Sequence, residues 1–407
     1  MTSGRGKGFT WERGPFSKCA LCGEESFGIL RAGGQSLVKR CWNCRYSTDE
    51  ELPSLDKKVI YLDQFVFSLL FNVEAGGRLP KGHEAFAKEL HKRLRRLVLL
   101  QQVILPHSDI HRDETTVFHS AMELRQAYEF MGGDVELLET HKVEFDQTLL
   151  AAQAYLAGMP LQLDYSVDQV LKDRRNGWLP DMHISVRSDF TIFADGLRRK
   201  RDESHIALRD LADKWARDRP SFADVLKTEL GSILSGKIQA LASSERNKWH
   251  DDPMVSLNAI RAPIQNEARE LLRLMQKSGI PQDEAGQKVR DFWASDANVN
   301  LPHHQISSYL FAGVARRVIL GQKTIINKGL MNDIRAISCY APYVDAMFVD
   351  KGCEQLLSER PISDDLRYKA RIFSLSGTEA FLSYLDELEA VTPSVVREHA
   401  SQIYGIA

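Results

Sequence analysis

The sequence predicts an α/β protein: a parallel sheet with helices on both faces, a large all-helical insertion within it, and a small four-cysteine unit in front of it. Three observations lead there. Short apolar runs alternate with amphipathic stretches near both ends of the chain, as parallel β-α units require. Between them lies a block of long helical patterns without a strand. Near the start, two Cys-x-x-Cys pairs stand 18 residues apart, in a segment too short to fold on apolar burial alone.

The 407 residues are 43% hydrophobic and 27% charged, with a net charge of −2, a balance that excludes a disordered or membrane-embedded chain. No run reaches the roughly 18 apolar residues that span a bilayer, and the N-terminal stretch lacks a signal peptide's apolar centre. The expectation is a cytoplasmic protein with no membrane partner. Global charge singles out no ligand, and basic runs such as RRKR at 198–201 read either as solvated helix faces or as phosphate contacts.

In order, residues 1–14 are Gly- and charge-rich and read as a flexible tail. Residues 15–50 carry Cys19, Cys22, Cys41 and Cys44. Two knuckles of two thiolates, with a spacer long enough to fold back, can complete a closed tetrahedral zinc site, whose role is then structural. A zinc ribbon is expected here. Lys39, Arg40, Trp42, Arg45 and Tyr46 around its second knuckle could grip nucleic acid, or the ribbon could dock a regulatory protein. Cys339 and Cys353 read as ordinary reduced thiols.

The first half of the sheet domain spans 57–131. KKVIYLD reads as a buried strand, QFVFSLLFNV and EAFAKELHKRLRRLVLLQQ as helices, and VILPH as a second strand. The stretch from Ser108 to Met131 then reads as a helix capped by Ser108 or Asp109, carrying His111 and Glu114 through its first turn. Residues 132–326 form the helical insertion, with patterns at 134–157, 204–216, 221–246, 253–278 and 304–320. It could also hold a protein partner. The strand-helix pattern returns over 327–407, with AMFV and ARIFSL as strands.

Asp63 ends the first strand, Glu114 comes after the second, Asp333 begins a helix, and Asp345 and Asp350 flank AMFV. In a parallel sheet all carboxyl ends open on one side, where ligands bind. Carboxylates gathered there repel and raise one another's pKa, an arrangement that makes sense around divalent cations such as magnesium or manganese. Each acid also has an ordinary reading. Asp333 could cap a helix, Glu114 could pair with Arg112 or Arg125, and Asp345 could close a turn. Asp63 is hardest to explain that way, because both its flanks are apolar.

The apolar strand ending in Asp63, ILPHSDIHRDE with Glu114, MNDIRAISCY with Asp333, and YVDAMFVDKGCEQL with Asp345 and Asp350 together resemble the PIN-domain nucleases. The resemblance covers about a third of the chain. It implies a Rossmann-like parallel sheet on which Asp63, Glu114, Asp333 and Asp350 bind magnesium or manganese, with Asp345 an extra acid nearby. It further implies phosphodiester hydrolysis, RNA favoured over DNA, leaving 5′-phosphate and 3′-hydroxyl ends. The chain departs from the family in placing Gln64 where many members have a small hydroxyl residue, and in the size of its insertion. A haloacid-dehalogenase-like phosphatase would need a second Asp at position 65, which is Phe65. No P-loop, G-x-S-x-G or H-E-x-x-H pattern occurs. His111 is the histidine nearest the acids, while His303 and His304 read as a helix start. The alternative from another class is a catalytically inactive zinc-ribbon binding or scaffold protein.

Overall fold

The computed structural model describes residues 12–117, 135–179, 194–249 and 262–406. Four strands, β1 (Arg13–Lys18), β2 (Glu25–Gly33), β3 (Ser36–Cys41) and β4 (Ser47–Glu51), form an antiparallel meander in chain order. Next are β5 (Lys58–Leu62), α1 (Gln64–Glu74), α2 (Glu84–Leu99), β6 (Val103–Ile104) and α3 (Asp109–Thr116). The helical block contributes α4 (Thr140–Ala157), α5 (Ala194–Asp218), α6 (Phe222–Asn247), α7 (Pro263–Lys277), α8 (Gln282–Ala294) and α9 (Pro302–Ile319). Then come α10 (Leu330–Tyr340), β7 (Ala346–Phe348), α11 (Lys351–Ser358), β8 (Arg371–Phe373), α12 (Thr378–Ala390) and α13 (Ser394–Tyr404). Among the described residues no helix is long and apolar enough to cross a membrane.

The second sheet is parallel throughout, in the order β6-β5-β7-β8. Successive strand side chains point to opposite faces, and here both faces are covered. Ile60, Leu62, Ala346, Phe348 and Phe373 pack against Val66, Phe67 and Leu70 of α1, Leu90 and Leu94 of α2, and Phe381 of α12. Val59, Tyr61 and Met347 pack on the other side against α9, α10 and α11. A sheet buried on both faces explains why VIYL and AMF are apolar runs without alternation. The register Ile60↔Ala346, Leu62↔Phe348 and Phe348↔Phe373 brings the strands' carboxyl ends to one edge.

The expected architecture of the helical block needs two adjustments. Residues 135–138 and 171–179 do not belong with the helices. Leu137 and Leu138 donate backbone hydrogen bonds to His107 and Val170, Lys57 Nζ donates to the Gly177 carbonyl at 2.7 Å, and Trp178 Nε1 donates to the Pro53 carbonyl at 2.8 Å. This segment straps the outside of the sheet domain to the ribbon. Further on, α7 and α8 pack with α4 around Leu271, Met275, Phe292 and Trp293 as a separate helical core. The helix expected to run from Ser108 to Met131 ends at Thr116, and residues 118–134 lie outside the described residues, as does the start of the pattern expected at 253–278.

The ribbon begins at Glu12, inside the stretch expected to be a tail; residues 1–11 lie outside the description. Glu12 is buried and accepts from Arg40 Nε at 2.6 Å and Arg45 Nη1 at 3.2 Å. Gly28 is required by close packing, because a Cβ there would stand 2.5 Å from the Arg13 carbonyl oxygen. The ribbon is also not self-contained. Its Ile29, Leu37 and Leu52 share a core with Leu100, Trp178, Val396 and Ile403, so docking adds to whatever stability metal supplies. Trp178, buried between the two units, is the centre of that contact. Removing so large a buried ring typically costs about 3–5 kcal/mol, so Trp178→Ala is expected to lower the urea midpoint of the whole chain. Loss of cooperativity confined to the ribbon would instead show that the two units unfold separately.

Candidate metal centres

The carboxyl edge of the parallel sheet is built from β5 outward. The chain leaves β5, forms β6 on one side, and returns as β7 on the other, which makes the end of β5 a topological switch point, where clefts form in open α/β sheets. Asp63 comes directly after Leu62 there, with its amide held by the Phe348 carbonyl at 2.9 Å. Asp350, two residues beyond β7, starts α11 and accepts from the Cys353 amide at 2.6 Å through Oδ1. Its capping role uses one oxygen and leaves the other to the cleft.

Glu114 is delivered by α3, whose placement rests on His111. The Ser108 amide donates to His111 Nδ1 at 3.0 Å, so that nitrogen is the acceptor, and Nε2–H donates to the Leu62 carbonyl at 2.7 Å. Burial, with help from His107, lowers the His111 pKa to about 3, which keeps the ring neutral and the tautomer fixed. The ring stacks on Tyr61 at 4.9 Å. One turn on from this anchor, Glu114 meets the cleft and accepts from Asn332 Nδ2 at 2.9 Å. Arg112 pairs instead with Asp113 and Glu139, and Arg125 lies outside the described residues.

Asp333 lies within the first turn of α10 but does not cap it. Asn327 Oδ1 accepts from the amides of Gly329 and Leu330 at 2.7 and 2.8 Å and serves that end of the helix. Asp63, Glu114, Asp333 and Asp350 all line one open cleft of about 800 Å³. Burial first, then Glu114 and Asp350, raise the Asp63 pKa to about 7. Burial and the other three acids push Asp333 well above the ordinary carboxylate range, and burial raises Glu114. None of the four has a cationic side chain within ion-pairing distance among the described residues.

The structure does not bring Asp345 to this place. Asp345 precedes β7, donates its amide to the Val59 carbonyl, accepts from the Val59 amide through Oδ2 at 2.9 Å, and pairs with Lys369 at 3.1 Å. It holds the amino ends of β5 and β7 together. With about 3.3 Å of rise per residue, it stands a full strand length from the cleft.

The donor set suits a hard divalent cation. All four groups offer carboxylate oxygen, the ligand type of magnesium and manganese, and their mutual repulsion is the kind that such an ion relieves. Asp333, Asp350 and Cys353 could place ligand atoms within 4.8 Å of one another, but sulfur is a soft donor that hard cations such as magnesium disfavour, so the carboxylates are the fitting ligands. Other groups stand in or beside the cleft, among them Gln64, the residue that departs from the family pattern. Asn332 orients Glu114, Gln64 donates to Thr115 Oγ1 at 3.2 Å beside it, and Arg201 of α5 joins the wall. Asn332 had a signal, adjacency to Asp333; Arg201 had only its place in RRKR.

At the other end of the domain, the four ribbon cysteines can bring their sulfurs within 4.8 Å of one another. Cys19 Sγ is 3.5 Å from Cys44 Sγ, and Cys22 Sγ is 3.7 Å from Cys41 Sγ. Tetrahedral zinc with bonds of about 2.3 Å separates its sulfurs by about 3.8 Å, so these four could hold zinc. Burial alone would raise the Cys41 thiol, but hydrogen bonds from the Cys44 amide and the Ser26 hydroxyl bring it down to about 6. Cys44, opposed by the Tyr46 amide, is pushed up to about 12 by burial and by the three neighbouring thiols.

Three of the ribbon's cationic residues are matched within it. Lys39 pairs with Glu50 at 3.0 Å, and Arg40 and Arg45 with Glu12. Trp42 remains 44% exposed. The ribbon packs near Lys57 and Leu100, at the amino ends of β5 and β6, so Lys39, Arg40, Trp42 and Arg45 are not brought to the acidic cleft.

Compared with known proteins, the chain matches no family model, no curated protein and no solved structure.

Two outcomes are expected of these centres. Elemental analysis of the purified protein should find one zinc per chain, with Cys22→Ser losing it; equal zinc in both would reject the site. The second concerns pH. A carboxyl whose pKa is raised on folding contributes stability that is present below its unfolded value and lost as pH rises through its folded value. For Asp63 that window runs from about 4 to about 7, from the ordinary 3.8 to the folded value of about 7. In zinc-loaded protein without magnesium or manganese, Tm should therefore fall more between pH 5 and 8 for wild type than for Asp63→Asn. Millimolar manganese at pH 8 should restore it for wild type only.

Proposed function

We propose that the protein is a metal-dependent nuclease that hydrolyses phosphodiester bonds, RNA in preference to DNA. The observation that carries this reading is the convergence of Asp63, Glu114, Asp333 and Asp350 on one open cleft at the switch point of a parallel sheet, with no cation among the described residues at ion-pairing distance to account for their placement. The sequence resemblance to PIN-domain nucleases rests on the same four positions and supplies the preference for RNA. Asp63, Glu114, Asp333 and Asp350 would hold one or two magnesium or manganese ions, which when bound supply Lewis acidity and a lowered pKa for water.

The chain's own groups prepare the site. Asn332 keeps the Glu114 carboxylate turned inward, the Cys353 amide fixes the rotamer of Asp350, and the neutral His111 holds α3 against the end of β5. Arg78 and His83 extend the cleft wall beyond the acids, where a chain of phosphates can run. In the reaction, the oxygen of water bonds to phosphorus as the bond from phosphorus to the 3′ oxygen breaks. One water proton ends on the 3′ oxygen, and the other is released as the new 5′ phosphate ionises.

The test is cleavage of end-labelled single-stranded RNA and DNA by wild type and Asp63→Asn, with manganese, with magnesium, or with neither. Wild type should cut only with metal, RNA faster than DNA, and leave 5′-phosphate ends. Asp63→Asn should be slower by about a hundredfold or more. Equal cutting by both proteins, or binding without cutting in every condition, would sink the nuclease reading, the second outcome favouring a scaffold.

A further inference from the structure

We infer that Arg201, supplied by the helical insertion, is a substrate-binding residue that contacts a non-bridging oxygen of the nucleic-acid phosphate held at the acidic cleft. This rests on the nuclease reading for the identity of the ligand, though not for the availability of the guanidinium.

Arg201 lines the cleft together with the four acids, and it also lines the adjoining hollow beside Glu114. Its positive field opposes the effect of burial on Glu114, which places it close to that carboxylate. Even so, it forms no ion pair or hydrogen bond with any described residue, and its Nε is buried without a partner. A buried guanidinium nitrogen with no acceptor is costly, so an acceptor brought by a ligand would be strongly favoured.

The neighbours of Arg201 hold it in place. Three residues earlier, and so on the same side of α5, Arg198 Nη2 donates to the Val117 carbonyl at the end of α3. One residue later, Asp202 accepts from Lys328 at 2.6 Å, next to the turn that precedes α10. Farther along the helix Leu208, Ala212 and Trp215 pack into the same core as α9 and α10. The helix is thus stitched to both elements that carry Glu114 and Asp333, with Arg201 between the stitches.

Charge gives the reason for a cation here. If two divalent ions were bound, the four carboxylates would balance them, and nothing would be left to offset the single negative charge of an entering phosphodiester or the further charge that develops during attack. Arginine suits that task because its planar fork meets two phosphate oxygens at once. If Arg201 were instead a counter-ion for the acids, it would sit within ion-pairing distance of one of them, and it does not.

The test reads binding and cleavage separately. A fluorescently labelled single-stranded RNA is titrated into wild type, Arg201→Ala and Arg201→Lys with calcium in place of magnesium, over a range of salt concentrations. Cleavage is then measured with manganese. Arg201→Ala should weaken binding about tenfold and reduce the slope of log affinity against log salt by about one. It should lower kcat/KM by about a hundredfold, while its manganese-induced rise in Tm matches wild type. Arg201→Lys should restore the salt slope and part of the affinity. If wild type cuts and Arg201→Ala binds and cuts within twofold of it, the role of Arg201 is wrong and the nuclease reading stands. If Arg201→Ala instead has a lower Tm without metal and a tighter grip on manganese at unchanged RNA affinity, Arg201 is a counter-ion and the inference falls. If wild type binds RNA but never cuts, the nuclease reading fails and the binding arm still decides Arg201. Absence of RNA binding by wild type would end both.

Discussion

The pairing of β5 with β6 on one side and β7 on the other is the constraint on which the rest of the molecule depends. Along KVIYL, Lys58 and Val59 pair with β6 and Ile60, Tyr61 and Leu62 with β7, and the four residues after Lys58 are packed on the two faces. A charge does not fit within the buried run VIYL, so the charged residues stand at its two ends, Lys58 before it and Asp63 after it. Asp63 then has one available direction, outward from the carboxyl end, into the gap where the chain has turned to opposite sides of the sheet. Because β6 and β7 run parallel to β5, the segments leaving their carboxyl ends arrive at the same edge. One register therefore aligns three segments that are far apart in sequence.

The two ends of that strand have opposite characters. At the amino end, Asp345 is neutralised by Lys369 and by the Val59 amide, and the ribbon closes over Lys57, Leu100 and Trp178. Lys39, Arg40 and Arg45 of the ribbon are turned into internal pairs as well. At the carboxyl end, four acids meet with no cation among the described residues at ion-pairing distance, and a guanidinium nitrogen stands nearby without an acceptor. The first is what a stabilised structural edge looks like, and the second is the feature on which the nuclease proposal rests. The helical insertion bridges this contrast. One part of it, around Trp293 and Phe292, is a self-contained helical core, while α5 reaches back to wall the cleft.

Legibility in the sequence tracks the range of the interactions. Cys-x-x-Cys pairs and apolar strand runs are local signals, and from them the ribbon, the α/β alternation and the position of Asp63 can be read. Asp350 is readable because it lies just after a strand, and Glu114 because it lies on the helix that follows one, where parallel topology leaves few choices. Asp345 is misplaced by sequence alone because an acid on either flank of AMFV looks alike until strand direction is known. Lys39, Arg40 and Arg45 look like a basic patch because Glu12 and Glu50, which match them, are distant or seem to belong elsewhere. The role of His111 depends on one hydrogen bond to the Leu62 carbonyl, which no spacing reveals.

By itself, then, the sequence determined the class of the fold, the four cysteines able to hold zinc, and the carboxylates that gather at the cleft. Those features depend on composition and short spacing, which are properties of the chain. Only the tertiary structure decided which edge each charged group occupies, that the ribbon faces away from the acids, and that α5 carries Arg201 to them. These depend on strand direction and on packing between segments more than a hundred residues apart, and such geometry exists only once the sheet has formed.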